Sequence, residues 1–419
     1  MTHPARPPAG GLFMSSDPVA PGAQRGRRAP VAATAAVALT LAFACATPAV
    51  AQQDARASFG DRWRDLRAEV VDPADGMLDV GPVLERARGF LPIPIIVTEP
   101  AVGYGGGLAA MFVRPRRDVG QEGFARPNLS VAGAVFTENG TRLFFAADSS
   151  LWQDGRLKST AGAGGGNINL DVYGLGGTAD KLDSPIRYTL AMRAAGGQVD
   201  WQIAPRSPWW IGLRLVYAEI TPKLRDDPRF PGLEDRTRTT LAGPGVQLTY
   251  DSRDNLFTPT FGVYAETSLI AFDAAFGATR DFQRFSQVAM AWWPATPRVT
   301  AAVRADYQQV SGDAPFYARP YIALRGIPAM RYPGDSVASA QAEVRWQFHG
   351  RWSVVAFGGA GLARIDDGPA QRTKHAGAGG LGFRYEIAHR FGMHVGIDVA
   401  RGPEDTAVYL QIGNAWFRP

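Results

Sequence analysis

The chain has 419 residues, 46% apolar and 20% charged, and its mean hydropathy of −0.12 spreads the apolar content too thinly for a bundle of membrane helices. Its one cysteine, Cys45, lies in an N-terminal apolar run, so the remainder has no thiol for a disulfide framework, a thiolate metal site or a cysteine nucleophile. Setting residues 1–51 aside lowers the formal charge from +5 to about +2, so basicity gives no argument for nucleic acid as a partner.

Residues 1–51 read as a secretory signal. Arg25, Arg27 and Arg28 precede the run "APVAATAAVALTLAFACATPAVA", which ends in the small residues Ala49-Val50-Ala51. Residues 52–90 read as a short periplasmic segment. "DRWRDLRAEV" sets Trp63, Leu66 and Val70 at helical spacing, "VDPADG" breaks the chain, and "VGPVLERARGF" offers a second helical turn.

From residue 91 to 419 the period becomes two. In "SVASAQAEVRWQF" (336–348), Ala338, Ala340, Ala342, Val344, Trp346 and Phe348 share one face, and Gln341, Glu343, Arg345 and Gln347 the other. "FGMHVGIDV" repeats this, with His394 and Asp398 on its polar face. Sixteen such segments run from 92–98 to 405–417, the ninth spanning 258–272. Short connections such as "APRS", "PATP" and "HG" alternate with long ones such as "TPKLRDDPRFPGLEDRT", and nine tryptophans lie beside the short ends. Together these predict an all-β fold, a sixteen-stranded antiparallel transmembrane barrel with a periplasmic aromatic girdle. A closed sheet leaves no backbone amide unpaired in lipid.

The glycine-rich "GYGGGLA" and "GLGGTADK" lack the Gly-Lys-Ser/Thr ending of a phosphate loop. No Gly-x-Ser-x-Gly occurs, and His349, His375, His389 and His394 have no serine partner by motif. The expectation is therefore no catalytic residue, no metal and no cofactor.

Three stretches resemble the BamA/TamA, or bacterial surface antigen, family of outer-membrane barrels. "YDSRDNLFTPTFG" is similar to a family turn, here Asp251, Arg253, Asp254, Pro259 and Gly262. "LRGIP" resembles the family's arginine-glycine motif, here Leu324, Arg325, Gly326 and Ile327, on the loop before the twelfth strand. "YLQIGNAWF" resembles its C-terminal strand signal, here Gln411, Gly413, Trp416 and Phe417. The resemblance implies that the loop folds into the lumen and that its arginine pairs with carboxylates there. Strand alternation offers Glu343 and Asp398, with Glu343 expected as the main partner; the family's own aspartate is replaced by Gly359. Residues 52–90 are too few for a POTRA domain.

The resemblance implies a place in the outer membrane of a Gram-negative bacterium and a role in assembling or translocating outer-membrane components. The expected partners are outer-membrane lipid (lipopolysaccharide and phospholipid), the barrel assembly machinery during insertion, and no nucleic acid. The residues alone leave two other readings open: a pore or transporter for small solutes or lipids, and, least favoured, a barrel enzyme.

Overall fold

The computed structural model describes residues 70–82, 89–99, 101–114, 128–172, 186–225, 237–367 and 370–418. The signal and most of the segment 52–90, including Trp63 and Leu66, lie outside them. So does the connection 115–127.

Sixteen strands form one antiparallel sheet in chain order. They are β1 (Gly89–Val97), β2 (Gly105–Arg114), β3 (Asn128–Thr137), β4 (Arg142–Trp152), β5 (Leu157–Val172), β6 (Ile186–Gln202), β7 (Trp209–Leu224) and β8 (Thr239–Asp251). Then come β9 (Gly262–Phe272), β10 (Phe282–Thr296), β11 (Val299–Gly312), β12 (Ser336–His349), β13 (Trp352–Asp367), β14 (Ala370–Ala388), β15 (Met393–Arg401) and β16 (Thr406–Ile412). Each strand pairs with the next, so two-residue alternation propagates around the wall. Among the described residues no helix is long and apolar enough to cross a membrane.

Register separates the two faces. Glu343 stands opposite Ala302, and Ala302 opposite Trp292, on the inner face; Val344 stands opposite Ala301, and Ala301 opposite Trp293, on the outer face. The outer row carries exposed apolar side chains, with Leu213 66% and Leu215 64% accessible. That is the pattern of a wall that faces lipid. The inner face is not uniform. On β9 to β16 it carries Glu266, Arg284, Arg304, Asp306, Glu343, Arg345, Arg384 and Asp398, whereas on β1 to β4 no described inward side chain is ionisable.

Two expectations need correction. The tryptophans do not all form one girdle: Trp152, Trp201, Trp209, Trp293 and Trp346 are exposed on the outer face, but Trp292 and Trp416 are buried with Tyr264 and Met290 inside. Trp210 stands opposite the buried, inward-facing Thr249. Proximity to a turn does not tell an inward from an outward position, because the period of two makes neighbours such as Trp292 and Trp293 point oppositely. The last strand also ends at Ile412 and not at 417, because Gly413 turns with φ +75° and Asn414 bonds out of the ladder.

Candidate functional site

Between β11 and β12 the chain folds back into the barrel as a compact hairpin-like loop. Ile322 N–H donates to Tyr332 O (3.1 Å), and Gly334 N–H to Pro320 O (2.9 Å). Ile322, Leu324 and Ile327 pack on Val337, Ala363 and Ala376 of β12, β13 and β14. Burying each of these large side chains contributes about 1.5–3 kcal/mol, which offsets the entropy of ordering the loop. Hydrophobic contacts thus fix the loop's depth, and the arginine beside them is carried to mid-wall.

There Arg325 Nη1 donates to Asp398 Oδ2 and Nη2 to Glu343 Oε2, each at 2.6 Å. Its guanidinium carbon lies 3.5 Å from the centroid of the Phe357 ring, a cation–π contact worth about 0.5–2 kcal/mol. Asp398 has no exposed side-chain surface and is shared with Arg384, whose Nη2 donates to Oδ2 at 2.9 Å. The structure therefore gathers one arginine, two carboxylates and a ring from β12 to β15 around the loop's own Arg325. Glu343 and Asp398 lie at equal distance, so geometry does not single out Glu343. Gly359 sits against Gln341 on the same wall.

Gly326 has φ +96°, and a Cβ there would lie 3.0 Å from the backbone of Arg401 and Gly402. Only glycine fits both constraints. Gly326→Ala is expected to displace the loop and lower barrel stability by about 1–3 kcal/mol, measured as a lower urea midpoint for loss of heat-modifiable gel mobility.

The same loop touches both sides of the gap between the first and last strands. Gly326 N–H donates to the Tyr409 hydroxyl of β16 (2.9 Å), and Ala329 N–H to Glu99 Oε1 between β1 and β2 (2.9 Å). Arg331 Nε donates to Glu404 in the β15–β16 turn at 3.2 Å, and the Tyr332 hydroxyl donates to the same carboxylate. Among the described residues no ladder joins β1 to β16. β1 pairs with β2 without a break from Gly89 to Val97, across Pro92 and Pro94. Two prolines at alternate positions lose their donors on the same strand edge, and the unbroken β2 ladder leaves that edge facing the seam. β1 thus presents β16 with a donor-poor edge, and loop side chains bridge the seam from within.

The turn from Ser252 to Phe261 is folded by its own side chains. Asp254 Oδ1 accepts from Thr260 N–H (2.9 Å), and Asn255 Oδ1 from Phe257 N–H (2.7 Å) and Thr258 N–H (3.0 Å). This consumes residues 258–261, so β9 begins at Gly262, whose φ of +111° brings it against the Ser252 backbone. Pro259 is fully buried. Arg253 forks onto Asp251 (Nε–Oδ1 2.8 Å, Nη2–Oδ2 2.9 Å) and also donates to Arg418 O. Asn255 donates to Phe391 O, Phe257 O accepts from Asn414, and Thr258 meets His394 Nδ1 at 3.2 Å. The turn therefore spans from β8–β9 to the chain end. Trp416 turns inward against Trp292, Phe417 stacks on Phe257, and Gln411 shares the inward row of Gly396.

A second arginine centre escapes sequence reasoning. Arg351, in the β12–β13 turn, donates to Asp72 (2.5 Å), Asp75 (2.6 Å), Asp79 (2.9 Å) and Leu78 O (3.2 Å). Val80 N–H donates to Ile387 O and the Tyr385 hydroxyl to Leu78 O. Residues 70–82 are thereby latched beneath β12 to β15. The Arg351 hydrogen bond holds the Asp75 carboxyl below the usual carboxylate range, reinforced by the Met77 amide. The available signal was the acidic spacing in "DPADGMLD", but its partner lies 272 residues or more away. Among the described residues no group of His, Cys, Asp and Glu has the arrangement of a metal site.

Comparison with known proteins places this geometry. No protein-family model and no curated protein matches the sequence. BamA from Haemophilus ducreyi lacking POTRA domains 1–3 is similar in structure, with a TM-score of 0.53 at 10% identity over 83% of this chain and 81% of that one. CdiB from Escherichia coli gives a TM-score of 0.52 at 13% identity, and CdiB from Acinetobacter baumannii 0.50 at 13%. Each CdiB match covers 77% of this chain, and the chain spans 61% and 59% of their respective lengths. In fold, the chain is a sixteen-stranded barrel of the BamA and CdiB type.

Proposed function

We propose that the protein is an outer-membrane barrel that assists assembly or translocation of outer-membrane components, working at the β1–β16 seam with the lumen loop as its lock. One observation carries the reading. The seam lacks a ladder among the described residues and is bridged from inside by Gly326 on Tyr409 and Ala329 on Glu99. A wall that separates locally is built from its weakest pairing, and a loop held by side chains supplies a releasable contact. The exposed outer apolar rows support a membrane position. The test is a disulfide across the seam, Ile96→Cys with Val408→Cys, in a strain that depends on the protein. Locking is expected to reproduce the deletion phenotype in outer-membrane composition, and reduction to reverse it; a locked barrel that complements fully contradicts the proposal.

The other reading, an open pore, is disfavoured by the loop and by the inner cluster of Leu190, Leu241, Phe272, Phe282 and Ala318. Planar-bilayer conductance of the intact barrel is expected to be small and to rise several-fold when residues 320–335 are removed. A large steady conductance of the intact barrel would favour the pore.

A further inference from the structure

We propose that the inner wall of β1 to β4 binds the acyl chain of a membrane phospholipid that enters through the seam; the route of entry, though not the wall itself, rests on the reading above. Register puts Ile95, Gly107, Val135 and Leu143 in one inward row, and Ile93, Ala109, Gly133 and Phe145 in the next. Val131 and Met111 continue the surface toward the periplasmic end. Among the described side chains of these four strands, none that faces inward is ionisable, and the inward hydroxyls are Thr137 and Ser149. Apart from the buried Ala109 the inward apolar groups are half-buried, and among the described residues they join no packed cluster. This contrasts with the wall of β11 to β15, where Arg304, Glu343, Arg384 and Asp398 face inward.

A lumen filled with water gains nothing from such a surface, which costs free energy while it stays wet. Two properties identify the occupant. The inner wall at β1 adjoins the seam, the one boundary of the sheet without a ladder among the described residues, so it is continuous with the bilayer core. The amides of β2 to β4 are committed to ladders on both sides and those of β1 to β2 on one, so away from the seam edge the face of the wall leaves nearly nothing for a guest that needs hydrogen bonds. A polypeptide strand carries an amide at every residue and would bury them unsatisfied, whereas a methylene chain needs no partner. The inward row from Leu143 to Leu151, broken by the Ser149 hydroxyl, is about 27 Å long at the rise of a strand, enough to cover an acyl chain, which spans about half of a hydrocarbon core of about 30 Å. Charge first appears inward at Lys158 and Asp200 of β5 and β6, where Gln198 donates to both Asp200 oxygens.

The experiment reconstitutes the full chain in vesicles of phosphatidylethanolamine carrying a diazirine on one acyl chain, irradiates, and locates adducts by mass spectrometry. Adducts are expected on inward Val131, Leu143 and Phe145 as well as on outward Leu108 and Phe144, with none on inward Gln341 or Arg304. Adducts confined to outward residues would overturn the proposal. So would cross-links to residues 52–69 from a diazirine-bearing leucine analogue incorporated at Leu143, since the chain's own segment would then fill the wall. Leu143→Gln is expected to lower inward labelling several-fold without changing outward labelling; equal labelling contradicts the site. With the seam disulfide formed, inward labelling is expected to fall several-fold, and unchanged labelling would overturn lateral entry. Failure of the assembly reading is seen separately, as full complementation by the locked barrel.

Discussion

Replacing Arg325 with alanine is expected to destabilise the barrel by about 3–5 kcal/mol, the usual cost of removing one partner from a buried ion pair. The side chain is 10% exposed and serves two carboxylates, one of them with no exposed surface. Its loss leaves Glu343 without the guanidinium it bonds, while Asp398 keeps Arg384. The two carboxylates should therefore respond differently. A double-mutant cycle of Arg325→Ala with Glu343→Ala is expected to show coupling of about 1–3 kcal/mol in urea unfolding followed by heat-modifiable mobility. Arg325→Lys should recover only part of the loss, because a single ammonium cannot hold both carboxylates and also lie flat on Phe357. Absence of coupling with Glu343 would show that this ion pair does not hold the loop.

The second large effect is expected at Arg351. It is 4% exposed and faces three carboxylates, so Arg351→Ala removes the cation that lets Asp72, Asp75 and Asp79 approach one another. The remaining charges repel, and residues 70–82 should detach while the sixteen strands persist. Limited proteolysis is expected to cut this segment about tenfold faster or more in the variant, with unchanged heat-modifiable mobility. A fluorophore at position 74 gives the pH dependence. The Asp75 pKa is depressed in the folded state by Arg351, so its contribution is present above the unfolded value of about 3.9 and is lost as pH falls through the folded value. Probe anisotropy should thus hold at neutral pH and fall below about pH 4. An acid-insensitive latch would place the stabilisation in the Val80 and Tyr385 hydrogen bonds instead.

The fold was legible in the sequence for a simple reason. Period-two alternation survives in strands such as β11, β12 and β15, and with the turn spacing it set the count, the order and the inward faces of β12 and β15, which named Glu343 and Asp398. The alternation also places an inward arginine at 384, yet nothing in one strand says that it shares Asp398 with a loop 59 residues earlier in the chain. The bridges from Tyr409, Glu99 and Glu404 were hidden for the same reason: loop contacts carry no period. Strand ends were misread where side chains take over backbone bonding, at Asp254 and Asn255 before β9 and at Asn414 after β16. The inward apolar wall of β1 to β4 was masked because a strand that is apolar on both faces gives a continuous run, such as "LPIPIIV", which has no alternation to read.

The central claim is that the barrel is closed at β1 and β16 by a loop and not by a ladder. Hydrogen–deuterium exchange of the reconstituted protein tests it most directly. Amides of β1 and β16 are expected to exchange faster than those of β12 to β14, and faster again in the Arg325→Ala variant. Protection at the seam equal to that of β12 to β14, unchanged by that substitution, would contradict the account.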